Sequence, residues 1–304
     1  MAQLDILMAT YNGGQYLENQ LLSLIGQTFR DWKLKIHDDG SSDNTITIIK
    51  RYMSLDERIF LIEDGIVCGG AAANFIHLFK LSTADLTIFC DQDDIWFENK
   101  LSLLVAKFQG VSDPMACFAN GYAYTHDRGI IADRITNSYP KNLREQLFLN
   151  GGIQGCSLMF NQQLRRKLEH IPAEIVMHDH FITLGAITFA KLESVEKSLM
   201  LYRQFHSNKA TSNINYDKVA KIKSLFKSEI PVIDRKHFEA TRSFYATYQD
   251  KLNEEQKNLY RAYFAFATSG NLYTKIKLLL QHRFSIYGSI LALVFKTIMR
   301  KTIN

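Results

Sequence analysis

The segment Leu4–Thr45, LDILMATYNGGQYLENQLLSLIGQTFRDWKLKIHDDGSSDNT, alternates strand-like and helix-like patterns. After its first apolar run, Leu17, Leu21 and Leu24 recur at helical spacing. Four short segments over the first 90 residues fit β-strands: LDILMA (Leu4–Ala9), WKLKIH (Trp32–His37), RIFLIE (Arg58–Glu63) and DLTIFC (Asp85–Cys90). Strand–helix alternation of this kind predicts an α/β fold whose mainly parallel sheet is covered by helices on both faces.

Composition bounds the class of protein. The chain has 304 residues, of which 46% are hydrophobic and 12% aromatic, so a sizeable core is expected. Its 4 cysteines are far apart and form no CxxC pair, which argues against a zinc site or disulfide framework and fits a reducing cytoplasm. Neither a secretory signal nor an apolar run long enough for a transmembrane helix is recognised in the sequence.

Charge is unevenly distributed along the chain. From Tyr216 onward there are 16 Lys+Arg against 7 Asp+Glu, whereas the first 215 residues hold 20 against 24. After Gly270 there are 6 basic residues and no acidic one. The pattern there becomes helical, and the apolar run Ile286–Phe295 lies among lysines and arginines. We therefore predict a basic amphipathic helical region over residues 216–304.

Three polar segments follow predicted strands directly. They are TYNGG (Thr10–Gly14), HDDGSSD (His37–Asp43) and CDQDDIW (Cys90–Trp96). Ligands bind at the carboxyl ends of strands in sheets of this type. Glycines let the backbone approach a ligand, and free N–H groups at helix starts favour an anion such as phosphate. Each segment alone is also a common turn, but three at one edge of a sheet predict a binding site.

The carboxylates of CDQDDIW predict a metal site. Asp91 and Asp93 are two residues apart, so their side chains point the same way from an extended strand end. Mg²⁺ and Mn²⁺ prefer such oxygen ligands and commonly bridge a carboxylate to phosphate. The alternative is that Asp93 or Asp94 caps the helix that begins near Phe97.

Several motifs in this order and spacing resemble the family 2 inverting glycosyltransferases, in the branch that builds bacterial surface polysaccharides and includes many rhamnosyltransferases. The motifs are ATYNGG…DDGSSDNT, CDQDDIWFENKL, GCSLMFN, HDHF and YRQFHSN, and they cover roughly residues 1–210. The resemblance implies the GT-A fold, a nucleotide-binding α/β sandwich. It divides a catalytic domain over residues 1–215 into a nucleotide-sugar half (about 1–110) and an acceptor half (about 111–215).

The resemblance also implies roles for individual residues. The nucleotide would be bound by Thr10, Tyr11, Asn12, Asp39, Asn74, Asp91 and Arg203. Tyr11 would pack near the base, Asp39 would accept a hydrogen bond from a base N–H, and Asn74 would face the nucleotide or its phosphates. The Mn²⁺ or Mg²⁺ ion would be held by Asp93, Asp91 and His206. The acceptor would be bordered by Gly155, Cys156 and His180. Asp179 would be the catalytic base that takes the proton of the acceptor hydroxyl.

Two departures from the branch's pattern leave alternatives open. The motif YRQH of the branch is interrupted here by Phe205, so either His206 or Arg203 would meet the metal or diphosphate. His180 stands where the branch often has an aromatic residue, which leaves the acceptor open. Asp179 is alternatively a helix cap, and His178 more often forms a local hydrogen bond than takes part in catalysis.

The function predicted is metal-dependent inverting transfer of a sugar to a lipid-linked glycan acceptor, with deoxythymidine-diphosphate (dTDP) rhamnose as the donor. A uridine-diphosphate (UDP) sugar such as galactose is the alternative donor. A non-catalytic nucleotide-sugar-binding scaffold is the alternative from another class, and a nucleotidyltransferase lacks the basic loop it would need. The C-terminal helices would bind an anionic membrane, placing the protein at the inner face of the bacterial plasma membrane. Their alternative partner is the catalytic domain or a second copy of the chain. No nucleic-acid-binding motif accompanies the basic charge.

Overall fold

The computed structural model describes residues 3–205 and 230–303. It contains two compact units whose segments interleave along the chain. The sheet unit comprises Met1–Asn137, Ile153–Glu169 and Ala190–Thr211, and the helical unit comprises Ser138–Gly152, His170–Phe189 and Ser212–Asn304. The sequence predicted one boundary, at residue 215. In the structure, two stretches before that residue, Ser138–Gly152 and His170–Phe189, also belong to the helical unit.

Over its described residues, the sheet unit is built on nine strands. Their bounds are β1 Leu4–Thr10, β2 Trp32–Asp38, β3 Ile59–Leu61, β4 Leu86–Cys90, β5 Ile95–Trp96, β6 Met115–Thr125, β7 Gly129–Ala132, β8 Leu158–Asn161 and β9 Lys191–Arg203. The order across the sheet is β3-β2-β1-β4-β8-β6-β9-β5, and β7 pairs with β6. All pairs among β1 to β4 are parallel, which is the arrangement that the alternation predicted. Beyond β4 the sheet is mixed, because β8 runs antiparallel to both β4 and β6.

Register brings the ends of the central parallel strands to one edge. Thr10 of β1 pairs with Asp38 of β2, and Met8 of β1 pairs with Cys90 of β4. β1 and β4 are apolar along nearly their whole length and buried on both faces, as central parallel strands are. The polar segments after β1, β2 and β4 therefore emerge side by side.

Helices complete the sheet unit. Their bounds are α1 Leu17–Ile25, α2 Thr45–Leu55, α3 Ala71–Leu81, α4 Lys100–Val105 and α6 Gln162–Lys167. Each of the first three buries one apolar face: Leu17, Leu21 and Leu24 of α1, for example, are fully buried at the spacing that the sequence predicted. Asn161 caps α6, since its side chain accepts the N–H of Leu164.

The helical unit is held together by aromatic packing. Its helices are α5 Leu143–Gln146, α7 His178–Phe189, α8 Arg235–Tyr248, α9 Glu254–Thr268, α10 Leu272–Gln281 and α11 Ile290–Met299. Phe148 lies 5.0 Å from the ring centres of both Phe266 and Phe284. Asn253 starts α9 with a capping box, in which its side chain and that of Gln256 each accept the other's backbone N–H.

The C-terminal helix begins later than the apolar run that predicted it. Ser289 caps α11 by accepting the N–H of Ala292, so the run from Ile286 enters the helix only at Ile290. Leu291 is 78% exposed and Ile298 is 53% exposed. Within residues 3–205 and 230–303, no helix combines the length and the hydropathy needed to cross a bilayer.

Candidate active site

The three polar loops meet at the carboxyl edge of β1, β2 and β4. Thr10 Oγ1, at the end of β1, donates to Asp38 Oδ2, at the end of β2, over 2.8 Å. The Gln92 amide, after β4, pairs in both directions with the Tyr11 backbone. The Tyr11 N–H donates to Oε1 and Nε2 donates to the Tyr11 carbonyl, each over 3.0 Å. The ring of Tyr11 is 58% exposed. The predicted gathering of polar groups is present, and Gln92 is a contact that sequence reasoning missed.

Backbone N–H groups of residues 11–14 all donate to side chains. The acceptors, in chain order, are Gln92 Oε1, Ser41 Oγ, Thr45 Oγ1 and Asp43 Oδ2. Asn12 adopts a left-handed conformation with φ of 45°, and its Oδ1 accepts the N–H of Ser42 over 2.8 Å. These four N–H groups of the loop are therefore not free to bind a phosphate, and the predicted role of the helix starts stays a prediction.

Gly13 packs closely against the same contact. A Cβ atom at this position would lie 2.1 Å from Oε1 of Gln92. Because real Cβ contacts are far longer, a side chain here would displace the Gln92 amide from the Tyr11 backbone. Gly13 thus allows close packing between the loops after β1 and β4.

Asp39 holds the loop that precedes α3. Its Oδ1 accepts the backbone N–H groups of Cys68 and Gly69, and its Oδ2 accepts that of Gly70 over 2.7 Å. Asp38 likewise stabilises the loop after β2, since its Oδ1 accepts the N–H of Ser41 over 2.7 Å. The predicted bond from a nucleobase to Asp39 would use the carboxylate lone pairs that these contacts leave.

Asn74, which the resemblance implies would face the nucleotide or its phosphates, is buried and hydrogen-bonded. Its side chain is 1% exposed, and both ends of its amide are used by His37. Oδ1 is 2.8 Å from His37 Nδ1, and Nδ2 donates to the His37 carbonyl over 3.1 Å. An amide buried and paired in this way does not face a ligand, so the structure does not support the expectation that Asn74 contacts the nucleotide.

Three carboxylates crowd together after β4. Burial raises the pKa of Asp91, and burial together with the Asp91 charge raises the pKa of Asp93 to about 7. Burial and then the charges of Asp91 and Asp93 raise the pKa of Asp94 well above its usual value. The group therefore binds protons strongly, and a cation placed among the three would relieve their repulsion.

Lys100 supplies a buried positive charge beneath these carboxylates. Its Nζ donates to the Cys156 carbonyl over 2.7 Å and lies 3.6 Å from the ring centre of Trp96. Burial lowers the pKa of Lys100 to about 8. Sequence reasoning missed this residue, although its spacing of four residues from Leu104 on the apolar face of α4 was a usable signal.

Arg203 joins β9 to the carboxylate loop. Its Nε donates to the Asp93 carbonyl over 2.8 Å and its backbone N–H donates to Asp94 Oδ1 over 3.1 Å. The guanidinium carbon lies 4.1 Å from the ring centre of Tyr16 and 4.7 Å from that of Tyr124. The structure thus places Arg203 beside the predicted metal ligands, held between two aromatic rings.

The donor atoms after β4 fit a divalent cation. Asp91, Asp94 and Cys156 each offer a ligand atom within 4.8 Å of the others, a set that includes Asp94 rather than Asp93. Asp94 Oδ2 is buried and has no hydrogen-bond partner among residues 3–205 and 230–303. Two carboxylates, one with an unsatisfied oxygen, match the oxygen ligands that Mg²⁺ and Mn²⁺ prefer.

Gly155 and Cys156, predicted to border the acceptor, form a short 3-10 turn before β8 and are buried. The Cys156 thiol donates a hydrogen bond to the Asp91 carboxylate, which tends to lower the Asp91 pKa. Burial and the Asp91 charge raise the pKa of the Cys156 thiol well above its usual value, so it stays protonated. These two residues therefore lie against the carboxylates, and their role toward an acceptor stays a prediction.

Asp179 and His180 belong to the helical unit, in the first turn of α7. Asp179 Oδ1 accepts the N–H of His180 over 2.6 Å. The His180 ring is buried and packs edge-on against His237 at 5.0 Å between ring centres. Their catalytic and acceptor roles stay predictions. His206, the third predicted metal ligand, lies outside the described residues.

Comparison with known proteins agrees with this geometry. The profile of the family Glycosyl transferase family 2 matches residues 5–171, more than half of the chain. The dTDP-rhamnosyl transferase RfbG of Shigella flexneri is 28% identical over 231 residues, which are 69% of this chain and 75% of the relative.

Two solved structures share the fold. S. aureus TarS 1–349 in complex with UDP-GlcNAc superposes with a TM-score of 0.59 and 13% identity, covering 92% of this chain and 80% of TarS. The mannosyltransferase PcManGT from Pyrobaculum calidifontis, in complex with GDP-Man and Mn²⁺, has a TM-score of 0.55 and 15% identity, covering 98% of this chain and 86% of that one. The predicted GT-A fold is thereby confirmed. The chain belongs to glycosyl transferase family 2, and it is a glycosyltransferase.

Proposed function

We propose that this glycosyltransferase moves rhamnose from dTDP-rhamnose to a lipid-linked glycan acceptor, with inversion at the anomeric carbon. The observation that carries the proposal is the carboxylate group Asp91, Asp93 and Asp94 at the edge where the loops after β1 and β2 meet. The donor sugar is proposed from the 28% identity to the dTDP-rhamnosyl transferase RfbG.

The chemistry assigns each group one task. An acceptor hydroxyl forms a bond to the anomeric carbon as the bond from that carbon to the diphosphate oxygen breaks. Asp179 takes the hydroxyl proton, because the neutral hydroxyl is a poor nucleophile near pH 7. The nucleoside diphosphate leaves with the bonding electron pair.

The leaving group gains negative charge, and a bound Mn²⁺ or Mg²⁺ ion would offset it. Asp91 and Asp93 would hold that ion, with the unsatisfied oxygen of Asp94 close by. Arg203 would position Asp93 through its bond to the Asp93 carbonyl. The exposed ring of Tyr11 is available to pack against the base.

A UDP-sugar donor is the second candidate, because TarS was solved with UDP-GlcNAc. Titration calorimetry with dTDP and UDP, with and without Mn²⁺, separates the two candidates. Tight Mn²⁺-dependent binding of dTDP supports the first and the same result with UDP supports the second. Absence of binding by either nucleotide would overturn both donor assignments.

Two substitutions test the assignment of roles. Asp179→Asn is expected to bind the donor nucleotide as the wild type does and to lose transfer. Asp93→Asn is expected to lose the Mn²⁺ dependence of nucleotide binding. Loss of both binding and transfer in Asp179→Asn would show that this residue is structural.

The membrane as the site of the acceptor is proposed from the C-terminal helices. Leu291 and Ile298 lie seven residues apart on α11, and both side chains are largely exposed. No acidic residue follows Gly270 in the sequence. Apolar side chains beside basic ones favour an anionic bilayer surface. Sedimentation with vesicles of phosphatidylglycerol should capture the wild type and leave Leu291→Asp/Ile298→Asp in solution, whereas equal capture would exclude this surface.

A further inference from the structure

A second cluster of metal-ligand side chains lies in the sheet unit, apart from the carboxylates after β4. His37 comes from β2, Asp64 from the loop after β3, and His77 from α3. His37 Nε2 is 3.3 Å from Asp64 Oδ1, and His77 Nε2 is 2.7 Å from Asp64 Oδ2. One ligand atom from each residue lies within 4.8 Å of the other two.

Asn74 determines which nitrogen of His37 carries hydrogen. Its Nδ2 donates to the His37 carbonyl, which fixes the orientation of the amide. Its Oδ1 therefore faces His37 Nδ1 and accepts the hydrogen of that nitrogen over 2.8 Å. In neutral His37 the hydrogen is on Nδ1, and Nε2 presents a lone pair.

That lone pair points at a carboxylate. The His37 side chain is 1% exposed, so water does not separate its ring from Asp64, which is 30% exposed. Two acceptors at 3.3 Å repel each other unless a positive charge lies between them. The charge is either a proton on Nε2 or a metal ion shared by both groups.

The ligand set favours a metal ion. Two imidazoles and one carboxylate are the donors that Zn²⁺ and its neighbours take in proteins. Ligands about 2.0–2.1 Å from a tetrahedral Zn²⁺ ion lie about 3.3 Å from one another, which is the observed separation of His37 Nε2 and Asp64 Oδ1. A histidine ligand that donates its other N–H to an oxygen, as His37 does to Asn74, is the usual arrangement around such ions.

We propose that His37, Asp64 and His77 form a binding site for one divalent transition-metal ion of the Zn²⁺ class. On binding, the hydrogen that His77 Nε2 shares with Asp64 is released as a proton or moves to Nδ1, and the freed lone pair ligates the ion. Three protein ligands leave one position for water. The ion would link the loop after β3 to β2 and to α3. It would thereby restrain residues 68–70 at the end of that loop, whose N–H groups donate to Asp39.

The test is a Zn²⁺ titration of the full chain at pH 7.5, after EDTA treatment and buffer exchange, in competition with a fluorescent chelator. Wild type and Asp94→Asn, which removes one ligand of the separate Asp91, Asp94 and Cys156 cluster, should each bind one Zn²⁺ at the proposed site. His77→Gln and Asp64→Asn should each weaken that binding about 100-fold. His126→Gln, which changes an exposed histidine of the same unit, is the matched control and should bind as the wild type does.

Cobalt gives a second readout that is independent of activity. Co²⁺ in a four-coordinate site absorbs strongly in the visible range, and this band should appear in Asp94→Asn and be missing in His77→Gln. The proposal is overturned if His77→Gln and Asp64→Asn both retain wild-type Zn²⁺ affinity. It is also overturned if the wild type binds no Zn²⁺, in which case a protonated His37 paired with Asp64 accounts for the contact. The site shares no ligand with Asp91, Asp93 or Asp94, so its failure would leave the proposed glycosyl transfer standing.

Discussion

Replacing His180 with glutamine should reduce the sensitivity of the helical unit to acid. Burial, with a further contribution from the neighbouring His237, lowers the pKa of His180 from 6.5 to about 3. The folded-state pKa is below the unfolded value, so the stability that neutral His180 contributes is complete above about pH 6.5. It is lost as the pH falls towards 3.

The magnitude follows from the unfolded chain. At pH 5 the unfolded chain binds a proton at this histidine and the folded chain does not. This difference in proton binding lowers the free energy of unfolding by about 2 kcal/mol between pH 7 and pH 5. His178, whose pKa burial also lowers to about 3, should add a similar amount. Together the two histidines would remove about 4 kcal/mol, a large share of the 5–15 kcal/mol that is typical for a folded domain.

Urea unfolding at pH 7 and pH 5 measures this loss. Far-ultraviolet circular dichroism follows the helices of both units, so the transition of the helical unit is the part of this signal that tryptophan fluorescence does not share. The two tryptophans, Trp32 and Trp96, both lie in the sheet unit and report on it separately. On going from pH 7 to pH 5, His180→Gln should lose about 2 kcal/mol less than the wild type in the helical transition. His126→Gln, which changes an exposed histidine, should lose as much as the wild type. An equal loss in His180→Gln and wild type would refute the reasoning, because His180 would then be binding its proton in the folded state.

Three further predictions concern the sheet unit. Gly13→Ala should weaken binding of the donor nucleotide, measured by calorimetry, because the new Cβ would lie 2.1 Å from Gln92 Oε1. Gly151→Ala, whose Cβ would have no atom within 4 Å, is the control and should bind the nucleotide as the wild type does. Equal affinity of Gly13→Ala and the wild type would contradict the packing argument. Arg203→Lys should destabilise the unit by about 1–2 kcal/mol in tryptophan-monitored unfolding, since lysine loses the ring stacking and the bond to the Asp93 carbonyl; an unchanged midpoint would count against it. Mn²⁺ affinity should rise from pH 5.5 to 7 and then level off, because the Asp93 pKa of about 7 makes the ion compete with a proton. Asp93→Asn should lose this rise. A rise that persists in Asp93→Asn would assign the competing proton to another group.

Strands with a local periodic pattern were predictable from the sequence. The first was predicted over Leu4–Ala9 and spans Leu4–Thr10, and the fourth was predicted from Asp85 and begins at Leu86. The strand β9, by contrast, spans Lys191–Arg203 and has no such local pattern over its first half. Its first half, KLESVEKS, has mixed polar residues, and its strand conformation depends on pairing with β6, more than 60 residues earlier. Pairing over such a distance leaves no periodic signal in either segment.

The site was predictable where one short segment carried it. Asp91 and Asp93 are two residues apart in the sequence, and their crowding alone predicted a cation. Lys100, by contrast, reaches the same place from a helix. The histidines of the second cluster lie 40 residues apart and converge only because β2 and α3 are neighbours in the fold. Spacing rules apply within one element, so clusters assembled from several elements need the structure.

The interleaving of the two units has a consequence for synthesis. Helix α7 buries most of its residues in the helical unit, yet the helices α8 to α11 of that unit follow it by about 45 to 110 residues. At 5–20 residues per second, α7 leaves the ribosome roughly 6 to 20 seconds before α11 is complete. Throughout that interval its apolar surface is open to chaperones and to other nascent chains. Substitutions that weaken the helical unit are therefore expected to lower the yield of folded protein before they alter the chemistry of what does fold.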